Sequence, residues 1–221
     1  MKNIIFLDLD GTLINPRNRY FSIYKKICKE AGIASLNSNI YWKLKRNKIP
    51  EYDILKITNI NIKKIPLILK KRIGMLEDDK FLKLDKLHLG VIDFLKLVTK
   101  KKYLLVLVTY RRKKNSLKKQ LEFLNIIHFF DKILSVNSYS KTKYMGKVNL
   151  IKKYYQANEN NFFFGDTDVD LLAGKRLKIK TVACIFGIRN KLILRKFKPN
   201  FSISNWRYKT WDKKLLLSLG I

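Results

Sequence analysis

A short apolar run, Ile4 to Leu7, breaks off into Asp8-Leu9-Asp10-Gly11-Thr12. Such a run reads as a buried strand, and Asp10-Gly11 as a turn. Two carboxylates two residues apart, just past a strand end, point into one crevice, which is where open α/β sheets place their ligands. The opening residues therefore constrain the chain twice: to a fold that buries its first strand, and to an acidic, cation-binding site at that strand's end. An Asp-rich turn after an edge strand is the plain alternative, because short motifs recur by chance. The rest of the chain separates the two.

Residues from about 3 to 7 form the first strand. After Asn15-Pro16 comes an amphipathic helix, Tyr20 to Ala31, with Ile23, Ile27 and Ala31 on one face. Helical patterns continue over Ile40 to Arg46, Glu51 to Ile57 and Ile62 to Met75, and no strand pattern stands between about 17 and 87. Alternation then returns. Helices are expected over Val91 to Thr99, Ser116 to Leu124, Lys147 to Tyr155, Leu171 to Leu177 and Lys213 to Leu219. Strands are expected over Tyr103 to Val108, Ile133 to Val136, Asn161 to Phe164, Lys180 to Ile185 and, at an edge, Phe201 to Ile203. Strands alternating with helices imply a parallel sheet with right-handed crossovers. The expected architecture is an α/β core of residues 1–16 and 88–221, a Rossmann-like parallel sheet flanked by helices, with a helical insertion over 17–87.

Several function classes drop out on composition. No apolar run reaches membrane-spanning length, and Asp8 and Asp10 interrupt the N-terminal apolar run before it can serve as a signal peptide. The two cysteines, Cys28 and Cys184, form neither a disulfide framework nor a zinc spacing, and buried thiols in a reducing cytoplasm are the expectation. The charge is unusual: 48 Lys and Arg face 17 Asp and Glu, a net +31. A field of that sign attracts anions and polyanions. The basic residues are nevertheless spread along the whole chain beside abundant Ile and Asn, which favours a compositional origin over a nucleic-acid partner.

Four polar clusters fall at strand ends or helix starts: Asp8 with Asp10, Thr109, Lys147, and Asp166 with Asp170. In a parallel sheet the carboxyl ends of the strands open onto one side, so these clusters converge. Asp8-x-Asp10-Gly11-Thr12, a threonine after an apolar strand, a lysine, and Gly165-Asp166-x-x-x-Asp170, in that order, resemble the haloacid dehalogenase superfamily, in its phosphoglycolate-phosphatase-like branch with a helical cap. The resemblance covers essentially the whole chain.

The resemblance implies a phosphatase. Asp8 would be the nucleophile that forms an aspartyl-phosphate. Mg²⁺ would be held by Asp8, the Asp10 backbone carbonyl and Asp166, with Asp170 beside them. Asp10 would act as general acid and base. Thr109 and Lys147 would hold phosphoryl oxygens, and the backbone amides of Gly11 and Thr12 would help, beside plain structural roles as a turn and a cap. Asp10 points to phosphomonoester hydrolysis or mutase chemistry, because a leaving alkoxide needs an acid. Lys141, Lys143 and Lys147 all lie in the lysine's region; Lys147 opens the expected helix, and Lys143 stays an alternative. Arg111 and Asp168 are expected at the surface, and His88 is expected to be structural, close to a hinge.

The insertion would close over the site as a lid, with hinges near Asn15-Pro16 and Leu84 to Gly90. Tyr20, Tyr24, Tyr41, Trp42, Lys45 and Arg46 are its candidate substrate contacts, although aromatics at helical spacing are more often core. The expected substrate is a small phosphomonoester: a sugar phosphate, a phosphoglycolate-like acid or a nucleotide. A phosphomutase is the enzyme alternative. A basic nucleic-acid-binding protein, or a phosphatase of polynucleotide ends, is the alternative from another class, and a closing lid opposes it.

Overall fold

The computed structural model describes residues 3–136, 142–156 and 158–221. Its centre is a six-stranded parallel sheet. In chain order the strands are β1 (Ile4–Leu7), β4 (Leu104–Thr109), β5 (Lys132–Ser135), β6 (Phe162–Gly165), β7 (Lys180–Cys184) and β8 (Phe201–Ile203). They lie in the order β5-β4-β1-β6-β7-β8. Alternate residues serve opposite faces, as the pleat requires. Ile5, Leu7, Leu105, Leu107, Phe162 and Phe164 join one apolar cluster, while Ile4, Phe6, Val106, Val108 and Phe163 join the other. Both faces are covered, which is why these strands read as continuous apolar runs.

Helices α6 (Val91–Lys100), α7 (Lys114–Phe123) and α11 (Lys213–Ser218) supply residues to the first cluster, and α8 (Lys143–Tyr154) and α9 (Asp168–Arg176) to the second. α10 (Lys191–Arg195) contributes Leu194 to a small separate group. On the first face Phe94, Phe164, Trp206 and Trp211 form an aromatic group with neighbouring centroids 4.8–5.9 Å apart. Trp206 Nε1 donates to the Thr12 carbonyl at 2.8 Å, anchoring the loop after β1 to that group.

Between β1 and β4 lie the helices α1 (Arg17–Glu30), α2 (Ser38–Arg46), α3 (Glu51–Ile57), α4 (Ile65–Met75) and α5 (Asp79–Leu82). They share an apolar cluster of their own, built on Ile23, Tyr24, Ile27, Tyr41, Ile54, Leu55 and Ile65. Ile23 and Ile27, one turn apart on α1, start that cluster. The group meets the sheet through a short antiparallel ribbon, in which β2 (Ile14–Asn15) pairs with β3 (Lys86–Leu87). The expectation that 17–87 lacks a strand is thus corrected: two paired residues per strand are too few to show a period.

Several helix starts differ from expectation, α1 opening at Arg17 rather than Tyr20 among them, and two bear on the site. α8 begins at Lys143, so Lys147 sits in its second turn and does not open it. α9 begins at Asp168, three residues before the expected Leu171. Thr167 caps it: its side chain and amide meet Asp170 Oδ2 at 2.7 and 3.1 Å. This reciprocal cap starts the helix ahead of its first apolar residue.

Candidate active site

β1 lies where the strand order turns: β4 and β5 continue to one side, β6 to β8 to the other. Open α/β sheets bind ligands in the crevice at such a point. Asp8 follows β1, Thr109 ends β4 and Asp166 follows β6, so neighbouring strand ends deliver all three. One carboxylate oxygen from each of Asp8, Asp166 and Asp170 lies within 4.8 Å of the others. The Lys147 ammonium reaches Asp8 Oδ1 and Asp170 Oδ1, both at 2.6 Å. All four side chains are buried.

Close backbone approach builds this floor. A side chain at Gly165 would collide with Asp170, which folds back over it, and this explains the glycine in Gly165-Asp166-x-x-x-Asp170. Gly11 combines φ +91° with a collision between any added Cβ and Asp166, so only glycine fits. Asp166 is held by the Thr12 hydroxyl at 3.0 Å and the Ile188 amide at 2.5 Å. Thr12 therefore uses its side chain on a carboxylate rather than on a cap. The Gly11 amide is engaged by the Ile14 carbonyl at 2.8 Å.

The floor's electrostatics favour a cation. Burial pushes the Asp8 carboxyl up to about 7; Lys147 offsets this in part, and Asp170 adds to it. Burial, then Asp8 and Asp170, raise Asp166 well above the carboxylate range. For Lys147 burial pulls downward, but the Asp170 and Asp8 carboxylates outweigh it and keep the ammonium charged. Three buried oxygen donors with one ammonium among them fit a hard divalent cation.

Asp10 is placed differently. Its carboxylate stands apart from the floor cluster, paired with Arg19 and with Arg111, whose Nε and NH2 lie 2.6 and 2.8 Å away. The same two arginines face Asp85 at 3.2 and 3.5 Å. Burial would raise the Asp10 pKa, but Arg111 and then Arg19 outweigh it and hold the group well below the usual carboxylate range. The surface placement expected for Arg111 is corrected: it is 4% exposed, because its guanidinium bridges two carboxylates.

Above the floor lies a cavity of about 360 Å³, lined by Asp8, Asp10, Thr109, Lys147, Tyr20, Lys48, Asp168 and Arg189 among others. Lys143 stands at its rim, exposed, four residues from the buried Lys147. Lys141 lies outside the described residues. Among the candidate contacts of the helical group, Tyr20 lines the cavity, with Trp42 edge-on to it at 6.4 Å. Tyr24 and Tyr41 stack on each other at 4.5 Å inside the helical core. Lys45 pairs with Glu51 at 2.9 Å. Arg46 donates to the carbonyls of Ile185, Phe186 and Gly187 at 2.7–2.9 Å, joining α2 to the loop that carries Ile188. Asp168, expected at the surface, is half-buried because Lys48 and Arg189 hold it at 2.8 and 3.7 Å.

Sequence reading missed Arg19, Asp85 and Arg189. No local pattern distinguishes them; each acquires its place only through a partner distant in sequence.

The family model for haloacid dehalogenase-like hydrolases matches residues 4–184. A comparison with curated proteins finds no match. Among solved structures, a haloacid dehalogenase-like hydrolase from Streptococcus pneumoniae is similar at 21% identity and TM-score 0.76, over 92% of this chain and 94% of that one. A protein described as a predicted phosphatase from Clostridium acetobutylicum shares 16% identity at TM-score 0.76, over 98% and 99% of the two chains. One described as a predicted phosphoglycolate phosphatase from Haemophilus somnus shares 17% at TM-score 0.71, over 94% and 96%. At these identities the likeness establishes the fold.

Proposed function

The chain belongs to the haloacid dehalogenase-like hydrolases, and on that premise we propose that it is a Mg²⁺-dependent phosphatase of a small phosphomonoester. The observation that carries the reading is the floor: Asp8, Asp166, Asp170 and Lys147 gathered in one buried cluster beneath a cavity that Thr109 and Asp10 also line. The phosphatases among the similar structures support it.

In this reading Asp8 attacks phosphorus and carries the phosphoryl group as an aspartyl-phosphate. Asp8, Asp166 and the Asp10 carbonyl, with Asp170 beside them, would hold Mg²⁺, which supplies the positive charge that lets one anion approach another. The Lys147 ammonium and the Thr109 hydroxyl hold phosphoryl oxygens, and Lys147 also fixes the Asp8 carboxylate toward the cavity. Asp10 protonates the leaving oxygen and later takes a proton from water. Its pairing with Arg19 and Arg111 keeps it ionised, the form suited to the second step; the first requires that grip to loosen. The amides of Gly11 and Thr12 add donors, with Gly11 leaving the Ile14 carbonyl to do so.

Residues 17–87 act as a cap on the core of 1–16 and 88–221, turning on the ribbon of β2 and β3. Closed, the cap excludes water from the site. A cavity of about 360 Å³ suits a small sugar phosphate or phosphorylated acid and has little room for a polynucleotide end.

The test is phosphate release from p-nitrophenyl phosphate and a panel of phosphomonoesters, with Mg²⁺ and with EDTA. Metal-dependent release is expected. Transfer between two hydroxyls without net release would indicate a phosphomutase, and release from phosphorylated oligonucleotides alone would overturn the substrate class.

A further inference from the structure

Basic residues are spread along the whole chain, but carboxylates are not. Residues 171–221, about a quarter of the chain, hold thirteen of the 48 Lys and Arg and one of the 17 carboxylates, Asp212. A compositional bias alone would thin the carboxylates evenly. Charge asymmetry between parts of a chain points instead to a polyanionic partner.

The fold gathers part of this excess on one surface. A hollow of about 530 Å³ lies beside β8, with Lys191, Arg195, Lys198 and Lys214 around an apolar floor that includes Leu194, Pro199 and Phe201. A second, of about 610 Å³, lies beside α6, with Lys96, Lys100, Arg207 and Lys209 around Leu97 and Tyr208. The segment 206–214 supplies walls to both. Thr210 lines one hollow and Asp212 the other, so at that point the two stand at most about 7 Å apart. Neither shares a lining residue with the cavity that Asp8 lines.

All eight cations are exposed, and among the described residues none forms an ion pair. The two carboxylates on this surface, Asp93 and Asp212, leave most of the charge unanswered. Asp212 is moreover engaged in capping α11, through the Lys214 amide at 2.8 Å. Phosphates repeated along a chain answer such a row of cations and release counter-ions as they bind. The apolar floors decide the form of that chain. A single strand can lay its bases on apolar and aromatic surface while its phosphates meet the cations. A duplex turns its bases inward and leaves the floors bare, and a flat bilayer does not enter two hollows.

We propose that the surface formed by α6, the segment 206–214, β8 and α10 binds single-stranded nucleic acid. The test is fluorescence anisotropy of labelled oligothymidylate and oligouridylate of about 15 nucleotides, whose tighter member identifies the strand as DNA or RNA. Their ends are hydroxyls, so no phosphomonoester is offered to the active site. Saturable binding is expected at about 50 mM salt. Arg195→Gln/Lys198→Gln/Arg207→Gln/Lys209→Gln should weaken it at least about tenfold and reduce the slope of log K against log salt by about 2–3. Lys25→Gln/Lys63→Gln/Lys64→Gln/Lys70→Gln removes the same charge from exposed positions of the helical group and should cost less than about threefold. Both variants should turn over p-nitrophenyl phosphate as the parent does. Equal losses in the two variants would reduce the effect to net charge and overturn the proposal. So would the absence of saturable binding, or a blunt duplex of the same length binding as tightly as the single strands. Binding to vesicles of phosphatidylcholine and phosphatidylglycerol, but to neither oligonucleotide, would overturn it in favour of an anionic bilayer.

Discussion

The floor and the roof of the cavity are built by opposite means. The floor carboxylates stand at the ends of adjacent strands or one helical turn beyond, so the hydrogen-bonded order of β1 and β6 positions them, and α8 brings Lys147 in among them. The basic residues of the roof come from α1, α2, α4 and three loops, and they are positioned by their partners: Arg19 by Asp85, Arg72 by Glu51, Lys48 by Asp168. A floor position is therefore a consequence of the sheet, whereas a roof position is a consequence of how the helical group meets the loops of the core. The floor gathers negative charge and calls for a cation; the roof gathers positive charge and calls for an anion. Removing a floor residue should thus harm chemistry first, and removing a roof residue should harm closure and recognition first.

The largest effect is expected at Asp8. Asp8→Asn keeps the shape and removes the nucleophile, so turnover should fall by about 10⁴-fold or more with the thermal transition nearly unmoved. Phosphate release and a melting curve check both halves. Substantial residual turnover would mean that the floor does not act through Asp8. Next comes Lys147→Met, which leaves three buried carboxylates with no cation among them. The metal-free protein should lose about 3–5 kcal/mol, and Mg²⁺ should recover more stability in the variant than in the parent. Urea unfolding with and without Mg²⁺ measures this; equal recovery would show that Lys147 and the metal do not share the floor's charge.

The same division decides what the sequence made legible. Asp8-x-Asp10-Gly11 and Gly165-Asp166-x-x-x-Asp170 are short windows, and apolar runs flag the strands that bring them together. Fold class and floor could therefore be read directly. Of the roof, Tyr20, Lys45 and Arg46 were candidates, but Arg19, Arg72, Arg111 and Arg189 are four of 48 basic residues, and nothing in their neighbourhoods separates them from solvated ones. Arg111 illustrates this: it reads as surface charge until Asp10, 101 positions away, is brought against it. The start of α8 was missed in a smaller way: its first turn is Lys143-Tyr144-Met145-Gly146, and a glycine there reads as a break rather than as helix interior.

His88 sits where floor and roof meet, directly after β3, with its ring edge-on to Phe186 at 4.7 Å. Burial pulls its pKa down from 6.5 to about 4, and backbone hydrogen bonds around Gly11 and Ile14 offset this only in part. Above pH 6.5 both folded and unfolded chains hold it neutral, and its contribution to stability is complete. Below that the unfolded chain takes up a proton that the folded one refuses, so stability is lost as pH falls toward 4. Asp8 and Asp85, raised to about 7 and about 6, titrate in the opposite sense over overlapping ranges. Only a difference between variants is therefore clean. Between pH 7.5 and 5 the parent should lose about 2 kcal/mol more than His88→Gln. Equal losses would remove His88 from the junction's energetics.

Arg46→Gln should act on closure. It removes charge-assisted bonds to three carbonyls and should cost about 1.5–3 kcal/mol. Because those carbonyls precede the Ile188 amide that holds Asp166, the Mg²⁺ concentration for half-saturation should also rise. Unchanged metal affinity would separate the roof from the floor mechanically.

The smallest effect on stability is expected at Lys48→Gln. Lys48 pairs with Asp168 between the helical group and α9, but about half of its side chain is exposed. Such a pair contributes about 0–1 kcal/mol, a shift of no more than about 4 °C in the melting temperature of a chain this long. Lys48→Gln should therefore be nearly silent in melting. A loss of several kcal/mol would contradict this, and would make the Lys48–Asp168 pair the principal tie between the helical group and the sheet.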